Sequence, residues 1–306
     1  MIGNQLALIE REIWEHRSIY VTPLAIASIV TLSVLAMLVF ASGFAKELDM
    51  AIFGASNIAG EGERRAALTA FFVGTSWLFL VALAILTVFY CLDSLYGERK
   101  DKSILFWRSM PITDAETVLS KLVTAVVVIP VVAVLGIIAT HIVNLVITSI
   151  WVSMKGGDAG LLIWGSVPFF DNWVAAFIVV LASGIWMSPF IGWFLFVSAW
   201  TKRAPLLMAF MPLVLIPLLE WIFLRTRFFA TAVFDRGDDM PLFRTLDFET
   251  FFEEEHWHSG IDNISLLGHL DVVQFLTSPS MWGGLLVCGL FVTAAIYVRR
   301  YRDESK

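Results

Sequence analysis

Long apolar runs separated by short polar segments dominate the chain. A helix needs roughly 20 apolar residues to cross the hydrocarbon core of a bilayer. Six runs reach about that length. They lie at Ile19–Phe44, Thr69–Leu92, Leu122–Trp151, Trp173–Trp200, Ala204–Leu224 and Met281–Val298. The pattern predicts an all-α polytopic membrane protein with six transmembrane helices.

Two of these runs are longer than one crossing requires, and prolines interrupt several of them. The third and fourth runs contain Pro130 and Pro189, and the fifth contains Pro212 and Pro217. A proline inside a helix removes one backbone hydrogen bond, so neighbouring helices must satisfy the freed carbonyl group. We therefore expect a packed bundle in which the long helices tilt, kink or protrude.

The overall composition supports the membrane assignment and excludes other classes. Hydrophobic residues make up 58% of the 306 residues and charged residues 16%, against about 45–50% and about 25% in soluble domains. A soluble globule with so little charge could not cover its surface. A net charge of −6 excludes a nucleic-acid binder, and 2 cysteines exclude a disulfide scaffold.

The distribution of basic residues predicts the orientation. With both termini in the cytoplasm, 13 of the 21 Lys and Arg residues lie in inner segments and 8 in outer ones. The acidic residues divide the other way, with 10 inside and 16 outside. Because Lys and Arg accumulate on the cytoplasmic side of membrane proteins, we expect both termini there.

Residues 1–18 predict an amphipathic helix before the first span. Apolar side chains recur at helical spacing on one side, and polar side chains lie opposite. The apolar residues are Ile2, Leu6, Ile9 and Ile13, and the polar residues are Asn4, Glu12 and Glu15. Such a helix either lies on the inner membrane interface as an elbow helix or packs on another part of the protein.

Residues 93–121 form the most informative polar segment. The charged cluster Gly97–Lys102 precedes the apolar stretch Ile104–Trp107, and Met110-Pro111 ends it. Thr113 and Glu116 then fit a capping box, which predicts a second helix entering the third span. The segment is expected to form a short amphipathic helix, a turn and a helix on the cytoplasmic side. An ordinary charged loop that anchors to lipid phosphates is the alternative.

This segment resembles the cytoplasmic loop after the second span of type-2 ATP-binding-cassette (ABC) exporter permeases. The positions that fit the family's loop pattern are Glu98, Arg99, Lys102, Ser103, Met110-Pro111, Thr113, Glu116 and Lys121-Leu122. The layout is also similar over essentially the full length. It combines an N-terminal elbow helix, six spans, a tight inner turn at Ser198–Arg203 and a longer outer segment, 225–280, before the last span.

The resemblance implies a coupling helix that docks in a groove of a separate ATP-hydrolysing subunit. Three sets of side chains would take part: polar contacts, apolar anchors and a second contact on the tight turn. The polar contacts would be made by Glu98, Arg99 and Lys102, with Ser103 and Pro111 in the same motif. The apolar anchors would be Ile104, Leu105 and Trp107. The second contact would be made by Lys202 and Arg203. ATP and Mg²⁺ would be bound by that partner, because this sequence has no G-x-x-x-x-G-K-[ST] phosphate loop. A second permease copy or a sister permease would complete the transporter.

Three polar residues inside the apolar runs are candidates for substrate contact or gating. Glu220 is the lone acid within a span, and intramembrane acids are functional candidates by default. It lies near the outer interface. The alternative to a functional role is that Glu220 is simply paired there with Arg225 or His141. His141 and Asn144 stand one helical turn apart and fit packing roles better than ligand roles.

The outer segment 225–280 carries the sequence Glu253–His258, with His256 and His258 beside three acids. Two histidines at this spacing near carboxylates could bind a divalent metal. A solvated acidic helix is the alternative, and it is favoured by the helical pattern that precedes the pair. The apolar group Leu266–Leu276 could form an outer interfacial or re-entrant helix that gates the exit side.

Together these features predict a single transmembrane permease domain over residues 1–306. We expect the permease subunit of an ABC exporter in a bacterial inner membrane, which moves an amphipathic lipid, peptide or drug outward. On this interpretation the chain is not itself an enzyme and binds no cofactor of its own. The two rival hypotheses are a polytopic membrane enzyme with an outer metal site and a non-transporting ABC subunit that transmits a mechanical signal.

Overall fold

A computed structural model describes residues 2–40, 58–165, 169–238, 240–243 and 266–301. These residues are helical or lie in turns, and none of them forms a strand. Six of their helices are long and apolar enough to cross a membrane. They are Ser18–Phe40, Leu68–Lys100, Asp114–Met154, Phe169–Trp186, Pro205–Leu224 and Pro279–Tyr301. The prediction of an all-α chain with six candidate spans is confirmed.

The helices are numbered here in chain order. They are α1 (Ile2–Glu15), α2 (Ser18–Phe40), α3 (Ile58–Lys100), α4 (Ser103–Arg108), α5 (Asp114–Val123), α6 (Ile129–Met154), α7 (Phe169–Trp186), α8 (Ser188–Trp200), α9 (Pro205–Leu219), α10 (Phe228–Asp238), α11 (Val272–Thr277) and α12 (Pro279–Tyr301). Wider π-helical turns join α5 to α6 at Thr124–Val128 and extend α9 at Glu220–Leu224. The end of the bundle that carries residues 101–113 and 201–204 is called the loop end below.

The fourth predicted run, Trp173–Trp200, is two helices rather than one. The chain leaves the helical conformation at Met187, and α8 begins at Ser188 with Pro189 in its first turn. The proline ring fits the first turn of a new helix but would clash inside a continuous one. Helix α7 alone is long enough to span, and the 13 residues of α8 form a shorter apolar helix.

Pro130 also shapes the packing around it. Because it has no N–H, the carbonyl of Val126 loses its helical donor, and the π-helical turn lies just before this point. Helix α7 approaches at Gly184, where an added Cβ would lie 3.1 Å from the Val126 oxygen. A larger residue at this position would push the two backbones apart by a few tenths of an ångström.

The centre of the bundle is formed by α3, α8 and α12. Helix α12 packs along α8, α8 packs on α3, and α2 packs against α6 and α3. The main core cluster joins Ile19 of α2, Tyr90 of α3, Ile129 of α6 and Leu195 of α8. Helices α2 and α9 lie at the edge, because only 6% of the apolar window of each is buried.

Helix α1 packs on the protein through its polar side. Glu12 and Leu8 are buried, and the Gln5 side chain donates to the backbone carbonyl of Glu116 in α5 at 3.3 Å. Leu6 and Trp14 remain exposed on the other side. Of the two arrangements expected from the sequence, packing against another part of the protein is therefore present, and an apolar surface is still free for the membrane interface.

Candidate functional site

Six charged side chains form a connected cluster at the loop end, which we call the ion network. Its members are Arg11, Glu12, Glu98, Asp114, Lys121 and Arg299. They come from α1, α3, α5 and α12, so the network joins four helices that are distant in sequence. Three acids face three bases within this set, and exposed Glu15 adds a fourth acid through its contact with Arg11.

Glu98 lies at the centre of the ion network and is only 3% exposed. One carboxylate oxygen contacts Nζ of Lys121 and a guanidinium nitrogen of Arg11, both at 3.1 Å. The other accepts a hydrogen bond from Arg299 at 2.6 Å. Charges withdrawn from water are tolerated only when such partners replace the lost hydration. Glu98 is therefore a structural anchor of the chain.

Glu12 supplies the second buried carboxylate. It accepts hydrogen bonds from Lys121 Nζ at 2.8 Å and from the Tyr90 hydroxyl at 2.8 Å. The imidazole of His16 lies edge-on to the Tyr90 ring. Burial lowers the pKa of His16, and the negative charge of Glu12 opposes that shift. Burial thus favours the uncharged imidazole, and the Lys121 ammonium is the cation in closest contact with Glu12.

Helix α4 connects to this network through a cation–π contact. The guanidinium of Arg11 lies 3.6 Å from the centroid of a Trp107 ring, and the same guanidinium contacts Glu98. Arg11 also pairs with Glu15 on its own helix at 2.8 Å. A displacement of Trp107 would therefore act directly on a side chain that is bound to α3.

The predicted short helix and capping box are both present. Helix α4 follows Lys102, whose backbone has a positive φ of 59°. Thr113 Oγ1 accepts a hydrogen bond from the Glu116 backbone N–H at 3.1 Å, and the Glu116 carboxylate accepts one from the Thr113 N–H at 2.9 Å. This reciprocal pair starts α5 at Asp114, as the T-x-x-E pattern predicts.

The structure changes which side chains of α4 are available to a partner. Ile104, expected to be an apolar anchor, is buried within the chain, whereas Leu105 is 59% exposed and Phe106 is 58% exposed. Trp107 is half-buried against Arg11, and Met110 is exposed. Because the helix must pack one side on α3, only its outer side remains free. Phe106 therefore replaces Ile104 as an accessible apolar residue.

Arg99 also differs from its expected role as a contact for a partner. Its guanidinium donates to the backbone carbonyl of Ser198 and, at 2.7 Å, to that of Thr201. The Ser198 hydroxyl in turn accepts from the backbone N–H groups of Leu95 and Tyr96 and donates to a carbonyl of α3. The end of α3 and the end of α8 are thereby joined by polar contacts.

The tight turn after α8 consequently lies beside the end of α3. Lys202 and Arg203 are exposed on this turn, and Lys102 is exposed where α3 passes into α4. Ser103 donates to the Glu98 carbonyl, and Pro111 is exposed in the turn before α5. Five of the ten residues expected to couple to a partner have side chains that make contacts within the chain. They are Glu98, Arg99, Ser103, Ile104 and Trp107.

The intramembrane candidate His141 has both ring nitrogens occupied. Nε2 lies 2.7 Å from Thr75 Oγ1, and Nδ1 accepts from the indole N–H of Trp173 at 3.3 Å. Since Thr75 donates to a helix carbonyl, the imidazole proton lies on Nε2 and points to Thr75. His141 thus ties α3, α6 and α7 together. Asn144 donates to Thr31 and to the Thr140 carbonyl, which agrees with a packing role.

Glu220 has a local structural role that the sequence did not indicate. Its carboxylate accepts hydrogen bonds from the Thr226 hydroxyl at 2.8 Å and from the backbone N–H groups of Phe228 at 2.7 Å and Phe229 at 2.9 Å. These are the first N–H groups of α10, which have no partner within the helix. The expectation that Glu220 pairs with Arg225 or His141 is wrong. Arg225 lies over the Trp221 ring, and His141 pairs as described above.

We expect Glu220→Ala to loosen α10 locally. Loss of a cap costs about 1 kcal/mol, so amide hydrogen exchange in residues 228–238 should accelerate about fivefold. Glu220→Gln keeps an acceptor oxygen and should show a smaller change. Unchanged exchange in Glu220→Ala would contradict the capping role of Glu220.

The possible metal site falls on His256 and His258, which lie outside the described residues. Within the part of the chain that the structure describes, no group of three or more His, Cys, Asp or Glu side chains could hold a metal ion. The metal-dependent membrane enzyme, which depends on His256 and His258, therefore stays a prediction.

Several members of the ion network were not identified from the sequence. Glu12 was assigned to the polar face of a surface helix, while Lys121 and Arg299 flank the third and sixth runs, where basic residues are common in any membrane protein. Position beside an apolar run does not reveal a buried partner. Only the packing of α1 and α12 against α3 brings these charges to Glu98.

The six apolar helices and the charged, polar contacts at one end of them indicate a multi-pass membrane protein. Comparison with protein-family models, with curated proteins and with solved structures finds no match for this chain. The fold and the loop end therefore have to be interpreted from the chain's own residues.

Proposed function

We propose that the chain is the permease subunit of an ABC exporter and that the loop end receives a separate ATPase subunit. The observation that carries this proposal is the exposed apolar pair Leu105 and Phe106 on a short helix outside the spans. Lys102, Lys202 and Arg203 are exposed at the same end of the bundle and supply positive charge there. An apolar centre with a charged rim is the usual composition of a protein–protein interface.

The contacts behind α4 supply a route for mechanical coupling. Trp107 touches Arg11, and Arg11 binds Glu98, which also binds Lys121 and Arg299. A push on α4 would thus be passed to α3, α5 and α12 as a unit. Rigid transmission of this kind needs side chains that cannot relax independently, and buried paired charges meet that requirement.

The remaining parts of the proposal follow from the same assignment. The partner subunit would bind ATP and Mg²⁺, and a second permease copy or a sister permease would complete the pathway. The complex would reside in a bacterial inner membrane with the loop end in the cytoplasm. Its cargo would be an amphipathic lipid, peptide or drug, in keeping with apolar spans that contain few charges.

The test is loss of the ATPase from the purified complex. We expect Leu105→Asp with Phe106→Asp to reduce copurifying, Mg²⁺-dependent ATP hydrolysis at least tenfold, because two carboxylates would be desolvated in the proposed groove. Thermal unfolding of the permease should be unchanged, because both side chains are already exposed in the isolated chain.

Phe234→Asp is the matched control, since Phe234 is also exposed but lies on α10, one span away from the loop end. Copurified hydrolysis should be retained in this variant. Equal retention of hydrolysis in the Leu105→Asp/Phe106→Asp protein would contradict the docking surface. Absence of any ATPase from the native complex would contradict the exporter assignment itself.

A further inference from the structure

A small cavity opens beside α7 at the end of the bundle opposite the loop end. It has a volume of about 110 Å³ and lies between α3, α7 and the segment that contains Leu266 and Leu270. We propose that it binds the hydrocarbon chain of one uncharged amphipathic molecule, whose polar group hydrogen-bonds the side-chain amide of Asn172. This site does not depend on the proposed ATPase partner.

The lining determines the chemical class of the ligand. Phe72, Trp77 and Leu80 line it from α3, and Val179 lines it from α7; Ser76 and Asn172 are its polar members. None of the described residues that line the cavity is charged. An ionised group would lose its hydration here without a counter-ion. A mainly apolar cavity favours hydrocarbon over water. The ligand is therefore uncharged and largely aliphatic.

Asn172 supplies the second, independent observation. It is only 5% exposed, and neither its amide oxygen nor its amide nitrogen has a hydrogen-bond partner among the described residues. A buried polar group without a partner costs about 1–3 kcal/mol. The adjacent Trp173 differs, because its indole N–H is bonded to His141. A ligand with both a donor and an acceptor, such as a hydroxyl or a primary amide, would satisfy the Asn172 side chain.

The shape of the cavity favours a single chain. The lining residues run from Asn172 to Val180 along α7 and from Phe72 to Leu80 along α3, which is roughly 12 Å along each helix at about 1.5 Å per residue. Sites for drug-sized molecules enclose about 300–1,000 Å³. This cavity, at about 110 Å³, is too small for such a molecule and fits a narrower group. Trp77 is exposed at the edge of the cavity, so a chain can enter from the surrounding bilayer.

The polar end of the ligand is positioned by the segment above Asn172. The backbone N–H of Leu267 donates to Asp171 at 3.3 Å, which holds residues 266–270 over the start of α7. Leu266 and Leu270 then cover the cavity from that side. Asn172 is the fourth residue of α7, so the polar group lies near the helix end and the hydrocarbon points toward the bundle centre.

The experiment uses the full chain in lipid nanodiscs and a photoactivatable monoacylglycerol, which is single-chain, uncharged and hydroxylated. Crosslinks are mapped by mass spectrometry. We expect saturable labelling within residues 72–80 and 172–180. A non-photoactivatable monoacylglycerol and a short water-soluble alkyl amide serve as competitors, and the stronger competitor indicates whether the natural ligand comes from the bilayer or from solution.

Two variants test the cavity and the amide separately. Ala176→Trp fills the cavity and should reduce this labelling at least tenfold. Asn172→Leu keeps the apolar volume and should reduce labelling by the hydroxylated probe severalfold, while leaving labelling by a photoactivatable alkane unchanged. Leu286→Trp, on the exposed side of α12, is the control and should behave as wild type.

Labelling that is spread over all exposed helices, cannot be saturated and is unaffected by Ala176→Trp would overturn the proposal. Equal loss of both probes in Asn172→Leu would overturn the role of the amide. Thermal unfolding of each variant in the same nanodiscs shows whether the variant is still folded when its crosslinking is reduced.

Discussion

Lys121→Met is expected to lower the free energy of unfolding by about 3–5 kcal/mol, the usual cost of removing one partner from a buried ion pair. Lys121 is fully buried and contacts both Glu12 at 2.8 Å and Glu98 at 3.1 Å. Its loss leaves two carboxylates with one cation fewer inside the protein. Reversible unfolding of the purified chain in mixed detergent micelles measures this change.

The double variant Lys121→Met/Glu12→Gln shows whether charge balance is the cause. One acid and one base are removed together, and glutamine can still accept the Tyr90 hydrogen bond, so more than half of the lost stability should return. Lys202→Met removes an exposed lysine at the same end and should change stability by less than about 0.5 kcal/mol. A double variant no more stable than the single one would contradict this explanation.

Gly192→Ala is expected to cost about 1–3 kcal/mol through overpacking. A Cβ at this position would lie 3.0 Å from the backbone oxygen of Cys288 and 3.1 Å from its Cα. These are backbone atoms, so no change of rotamer can relieve the contact. Helices α8 and α12 would have to move apart, and they form the most extensive helix pair of the bundle.

Gly289→Ala is the matched control, because Gly289 is the next residue after Cys288 and nothing lies within 4 Å of an added Cβ. Alanine is the better helix former by about 1 kcal/mol, so this variant should unfold at the same or a higher temperature than wild type. Equal losses from both substitutions would show that the close crossing of α8 and α12 is not the cause.

These two predictions concern the same structural requirement. The ion network joins α1, α3, α5 and α12 at the loop end, while Gly192 joins α8 and α12 in the body of the bundle. If the loop end receives a driving subunit, both connections must be rigid for movement of α4 to reach the spans. In that case, a complex that contains the Lys121→Met or Gly192→Ala chain should transport less cargo for each ATP that its ATPase subunit hydrolyses.

The sequence alone predicted the elements whose signal is local. Apolar runs of sufficient length identified six spans, and the T-x-x-E pattern located the capping box at Thr113 and Glu116. Both signals depend on residues within one helix, because burial in a bilayer and satisfaction of helix ends are local requirements. Pro189 indicated a kink near Met187, although the sequence did not show that α8 is a separate helix.

What only the tertiary structure decided is which polar side chains face inward. Glu98, Arg99 and Ile104 lie in a segment with the composition of an exposed loop. Nevertheless, Glu98 and Ile104 are buried in the folded chain, and Arg99 is partly buried and bonded to the end of α8. Glu220 likewise caps a helix that begins eight residues later. A charge in the sequence does not by itself distinguish a solvated surface from a paired interior. The choice depends on partners from distant segments, which meet only when the bundle has assembled.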